Sequence, residues 1–147
     1  ANLAPEAARS GTLGLRLFVA PSNPDEVHQL VESPPVWITS PPVNLEARSL
    51  VVIRGWVRVP TPIEGTPDGL LVIDSLTGQA LAERILANDE WQEFVLYRAC
   101  PQSGPVRVTF ALSGMGTAYI DDVSIQLLTA SAAPVASQIR SPAAPVR

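Results

Sequence analysis

Short apolar runs, each closed by proline or glycine, constrain the fold of this chain more than any other feature. The 147 residues include 15 prolines and nine glycines. Turn sequences such as Pro67-Asp68-Gly69 and Ser113-Gly114-Met115-Gly116 separate the runs. Proline breaks helices, whereas alternating runs of roughly 4–8 residues between turn residues are typical of strands. The pattern therefore predicts an all-β protein, an antiparallel β-sandwich or jelly roll.

Eight segments have the composition and spacing of strands, and one further segment allows a short helix. The expected strands are residues 13–19, 36–40, 50–59, 70–74, 79–86, 91–99, 106–112 and 118–127. Residues 24–32 allow the helix. We expect residues 1–7 to be a loose N-terminal extension and residues 8–128 to form the sandwich. Residues 129–147, rich in Ala, Pro and Ser, are expected to be a linker or disordered tail.

Charge and hydropathy exclude two classes of partner. The net charge of −4 and the pI near 4.9 argue against a nucleic-acid partner, which requires a basic surface. No apolar run approaches the roughly 18 residues that a membrane span needs. The single cysteine, Cys100, excludes a disulfide framework.

Nothing in the sequence indicates an enzyme. His28 is the only histidine, and no serine or cysteine motif accompanies it. No zinc-ligand spacing or phosphate loop is present. Two acidic pairs, Asp89-Glu90 and Asp121-Asp122, are adjacent in sequence. Because successive side chains on a strand point to opposite faces, we expect the carboxylates of each pair to diverge.

The strand at residues 50–59 offers a binding surface. Val51, Ile53 and Val57 form one face, which suits the core, and the opposite face has Arg54, Trp56 and Arg58. A tryptophan ring provides a flat apolar platform for a sugar, and arginines donate to hydroxyls. Arg98 and Arg107 are candidates to extend this row. The alternative is that Trp56 packs under a loop while the arginines pair with carboxylates.

Four stretches in order carry a resemblance to a known family. They are Ser10-Gly11-Thr12-Leu13, the strand with Trp56, then Trp91-Gln92-Glu93-Phe94, and the closing Tyr119-Ile120-Asp121-Asp122-Val123-Ser124. Together they resemble the jelly-roll carbohydrate-binding modules of galactose-binding-like fold, such as bacterial xylan- and glucan-binding modules.

The resemblance implies a non-catalytic module that binds a polysaccharide or glycan. It also implies an extracytoplasmic location, neighbouring domains in a larger bacterial chain, and a structural calcium ion with Asp121 as the matching ligand. Alternatively, Asp121 accepts hydrogen bonds from backbone amides of a nearby loop. The rival function is a structural or protein-interaction sandwich of an exported protein, with no sugar site.

Overall fold

The computed structural model describes residues 1–23 and 33–128. The predicted helix at residues 24–32, His28 and the tail at residues 129–147 lie outside the described residues. The strands of the described part are β1 (Asn2–Ala4), β2 (Gly14–Val19), β3 (Val36–Thr39), β4 (Val43–Leu45), β5 (Leu50–Val59), β6 (Leu70–Asp74), β7 (Glu83–Ile85), β8 (Asn88–Ala99), β9 (Gly104–Val106), β10 (Val108–Leu112) and β11 (Gly116–Leu127).

These strands form two main antiparallel sheets. The larger has the order β1-β2-β11-β5-β8, and the smaller has the order β3-β10-β6-β7. Strands β4 and β9 pair separately as a two-stranded sheet. The prediction of an all-β antiparallel sandwich is confirmed. Among the described residues, no helix is long and apolar enough to cross a membrane.

The core lies between the two main sheets and follows the alternation of β5. Val51, Ile53 and Val57 are fully buried, as the sequence pattern predicts. Phe94 on β8 meets Phe110 on β10 edge-to-face, with ring centroids 5.9 Å apart. Each such large apolar side chain contributes roughly 1.5–3 kcal/mol by leaving water. This packing fixes the opposite surface of the five-stranded sheet, which we call the outer face.

Two predicted strands are interrupted. A 3-10 turn, Gly78–Leu81, overlaps the start of residues 79–86 and precedes the short strand β7. Gly78 has a φ of +65°, a left-handed conformation that glycine tolerates and that turns the chain out of the sheet. Residues 106–112 break at Arg107, whose backbone N–H donates to the Ser75 hydroxyl at 3.0 Å. β9 and β10 are consequently separate strands in different sheets.

The N-terminal residues belong to the sandwich, which corrects the expectation of a loose segment. β1 pairs with β2, and a 3-10 turn at Pro5–Ala7 packs against β2 with Ala7 fully buried. Gly14 makes this packing possible, because a Cβ there would lie 1.7 Å from the Ala7 carbonyl oxygen. The turn delivers the following residues, Arg9 and Ser10, to the outer face.

Candidate functional site

The outer face has polar and aromatic side chains in register across three strands. From β11 through β5 to β8, the neighbouring residues are Asp121–Trp56–Glu93, Ser124–Arg54–Val95 and Gln126–Val52–Tyr97, with Tyr119 beside Arg58. Because paired residues share a face, the antiparallel register places Arg54, Trp56 and Arg58 on one continuous surface.

Arg54 is an exposed charged group on an interior strand of this surface. Its strand is flanked on both sides, yet its side chain is exposed. Within the described residues it makes no hydrogen bond or ion pair. Tyr97, two residues along the adjacent strand from Val95, is 62% exposed, and its hydroxyl has no partner in the described part of the chain. These two side chains present donors to solvent.

Arg58 and Trp56 are both half-buried and both have partners. The Arg58 guanidinium lies 3.6 Å from Asp89 and 5.6 Å from the centroid of the Tyr119 ring. The Arg9 guanidinium lies over Trp56, 3.7 Å from the ring centroid, in a cation–π contact. A side chain from the N-terminal segment therefore covers the tryptophan that the sequence analysis selects as a platform.

Asp121 anchors that N-terminal segment. Its Oδ2 accepts the backbone N–H groups of Arg9 at 2.7 Å and Ser10 at 3.0 Å, and its Oδ1 accepts the N–H of Asp122 at 2.8 Å. Of the two roles considered for Asp121, the structure has the hydrogen bonds to backbone amides of a nearby loop.

The Asp122 carboxylate binds the same segment through the side chains of Ser10 and Arg9. It accepts the Ser10 hydroxyl at 2.5 Å and the Arg9 Nη1 at 3.0 Å. The Ser10 hydrogen bond, followed by the hydrogen bond from Arg9, lowers the pKa of Asp122 below its ordinary value of 3.8.

The expectation that the two carboxylates diverge is wrong because β11 has a bulge at this point. Asp122 and Val123 stand together opposite Gly55, and Asp122 has a φ of +52°. A bulge of this kind re-aims side chains that strict alternation would send to opposite faces. Both carboxylates thus converge on the turn at Arg9 and Ser10.

A calcium ion does not fit the surroundings of Asp121. Calcium takes about 6–8 oxygen ligands, whereas the Asp121 oxygens face N–H donors. Among the described residues, no group of three or more His, Cys, Asp or Glu side chains is placed to hold a metal ion. We derive no role for calcium at this position.

The structure does not bring Arg98 and Arg107 to the outer face. Arg98 lies on the core side of β8, where its Nε donates to the fully buried carboxylate of Asp74 at 2.8 Å. Arg107 precedes β10 in the other main sheet, and its Nη1 donates to the Ser40 carbonyl at 3.2 Å. Both arginines have structural partners away from Trp56.

Sequence reasoning missed several residues of the outer face. They are Arg9, Arg16, Phe18, Tyr97 and Tyr119; Arg16 lies 4.8 Å from the Phe18 centroid and 3.5 Å from Glu6. Alternation on β2, β8 and β11 divides these strands into two faces, but it does not reveal which strands are neighbours. The pairing β2-β11-β5-β8 supplies the missing information.

Solved structures of carbohydrate-binding modules share this fold. A family 16 carbohydrate-binding module matches with a TM-score of 0.58 and 15% identity, over 84% of this chain and 83% of that one. The CBM22-1 xylan-binding domain of Paenibacillus barcinonensis Xyn10C matches with a TM-score of 0.52 and 13% identity, over 88% and 81%. The chain has their jelly-roll fold.

A third solved structure extends the fold beyond such modules. The enzymatically active domain of tailspike protein 4 of bacteriophage CBA120 matches with a TM-score of 0.55 and 15% identity, over 80% of this chain and 16% of that one. No protein-family model and no curated protein matches the chain. At these identities the likeness concerns the fold alone.

Proposed function

We propose that this protein is a non-catalytic carbohydrate-binding module that binds a polysaccharide or glycan across the outer face, with Trp56, Arg54 and Arg58 in the site. The observation that supports this most is Arg54, an exposed cation on the interior strand β5 with no partner among the described residues. Arg98 and Arg107 are left out because Asp74 and Ser40 hold their side chains.

The groups on this face match the chemistry of a sugar chain. A guanidinium has five N–H donors and no acceptor, so Arg54 donates to hydroxyl and ring oxygens. Ser124 and Gln126 can both donate and accept beside it. The rings of Trp56 and Tyr97 provide flat apolar surfaces for the C–H face of a sugar.

The architecture and the modest size of the site suit a module that works beside other domains. Individual sugar contacts on an open sheet are weak, and linking a second binding domain raises the effective affinity. The fold that the chain shares with solved carbohydrate-binding modules supports this role. We place the protein outside the cytoplasm, as a domain of a larger exported bacterial chain.

Affinity electrophoresis tests the proposal. Native gels cast with soluble xylan, mixed-linkage β-glucan, glucomannan or galactan should retard the wild-type protein in at least one case. Calorimetric titration with that polysaccharide should give at least about a tenfold weaker Kd for Arg54→Ala, because a charge-assisted hydrogen bond is lost. Arg107→Ala, an exposed arginine on the other main sheet, is the matched control and should bind like wild type.

Two results would count against the proposal. Equal affinity of Arg54→Ala and wild type would remove the outer face as the site. The absence of retardation across the whole panel would favour the alternative, a structural or protein-interaction sandwich.

A further inference from the structure

The Arg9 side chain occupies the surface of Trp56 on which a sugar ring would stack. We propose that Arg9 is a latch over this ring, so that a glycan reaches Trp56 only when the guanidinium moves aside. The inference rests on the proposed function, because it concerns access to the same face. It makes Arg9 and Asp122 determinants of affinity, although neither needs to contact the sugar.

The side chain and the backbone of Arg9 are held by different contacts. Asp121 binds the main-chain N–H groups of Arg9 and Ser10. The Arg9 guanidinium is held separately, by Asp122 at 3.0 Å and by the Trp56 ring. The side chain can therefore leave the ring while the segment remains attached to β11.

Because the Arg9–Asp122 ion pair is exposed, moving the guanidinium off the ring costs little free energy. The side chains of Arg9 and Asp122 are 35% and 34% exposed, so water can replace each partner when the pair opens. An exposed ion pair and an exposed cation–π contact are each weak, and together they change an equilibrium by about tenfold. Exposed side chains change rotamer on the picosecond-to-nanosecond scale, so the latch does not limit the rate of binding.

Trp56 fluorescence reports the latch without any ligand. In a Trp37→Phe, Trp91→Phe background, Trp56 is the single tryptophan, and acrylamide quenching measures its accessibility. Arg9→Ala and Asp122→Asn should both increase the quenching constant. Asparagine tolerates the left-handed conformation of residue 122, so the second variant removes the charge and keeps the bulge. Arg16→Ala removes a different stacked arginine, the one over Phe18, and should leave the quenching unchanged.

Binding of the same variants tests whether the latch controls access. Arg9→Ala should bind the retarding polysaccharide about tenfold more tightly than wild type, and Asp122→Asn should show a smaller gain in the same direction. Binding by Arg9→Ala to a polysaccharide that does not retard wild type would also support the latch.

The outcomes separate this inference from the proposed function. Unchanged quenching in Arg9→Ala would show that the guanidinium does not cover Trp56. Raised quenching with equal or weaker binding would overturn the latch, while the loss in Arg54→Ala would still support glycan binding on the outer face. If neither wild type nor the latch variants bind any polysaccharide of the panel, both the proposed function and the latch are rejected.

Discussion

Two carboxylate sites in this molecule receive nearly the same donors and differ in burial. The first is Asp74, and the second is the pair Asp121 and Asp122. Asp74 accepts the N–H groups of Leu76 and Thr77, the Thr77 hydroxyl and Arg98 Nε. The second site accepts the N–H groups of Arg9 and Ser10, the Ser10 hydroxyl and Arg9 Nη1.

The difference in burial decides whether the ion pair at each site can separate. Asp74 is fully buried, and the Arg98 side chain is 14% exposed, so separating them would leave a charge without solvent. Arg98 also donates to the carbonyls of Tyr97 and Leu81, which joins the edge strand β8 to the 3-10 turn. The Arg9–Asp122 pair is about one third exposed on each side and can open into water. One site stabilises the sandwich, and the other holds the proposed Arg9 latch.

Removing the buried arginine should have the largest effect on stability. Arg98→Ala leaves the Asp74 carboxylate with its three local donors but without a countercharge, and should lower the free energy of unfolding by about 3 kcal/mol. Urea denaturation followed by circular dichroism measures the change. Arg54→Ala, which removes an exposed arginine with no partner in the described part of the chain, should stay within about 0.5 kcal/mol of wild type. Equal effects of the two variants would contradict the distinction between the sites.

A substitution at the exposed site should lower the free energy of unfolding less than Arg98→Ala does, even when it removes Asp121. Asp121→Ala removes the acceptor of the Arg9 and Ser10 amides, and should cost about 1.5 kcal/mol because water reaches part of this corner. Ser124→Ala on the same strand is the control, since the Ser124 hydroxyl makes no hydrogen bond among the described residues. Denaturation under the same conditions compares the two. A cost for Asp121→Ala as large as that for Arg98→Ala would mean that the two sites do not differ in kind.

The sequence predicted the sandwich because its regular strands obey local rules. β5 alternates from Ile53 to Val59, and the structure buries the side that the pattern selects. Residues 118–127 also lie in a strand as predicted, although a bulge at Asp122 interrupts their alternation. Turn residues between such runs are local signals as well, so the fold class could be predicted without knowledge of strand order.

The candidate site depends on features that no local pattern contains. The bulge at Asp122 reverses the expected divergence of the two carboxylates. The contact of Arg9 with Trp56 joins residues 47 positions apart through the N-terminal 3-10 turn. Arg98 shares its side of β8 with the buried Phe94 and Leu96, but its partner, the buried Asp74, lies on a strand of the other main sheet. Each of these follows from tertiary pairing, which one sequence does not reveal.

Acid should reduce the contribution of Asp122 to the free energy of unfolding, and this effect should be the smallest of those predicted here. The folded-state pKa of Asp122 lies below its ordinary value of 3.8, first because of the Ser10 hydroxyl and then because of Arg9. A lowered folded pKa contributes stability above the unfolded value, and this contribution is lost as the pH falls through the folded pKa. Wild type should therefore exceed Asp122→Asn in unfolding free energy by a constant amount well above pH 3.8, and the difference should shrink below it. Parallel pH profiles of the two proteins, measured by urea denaturation, would show that the Asp122 charge does not stabilise the corner that holds Arg9 over Trp56.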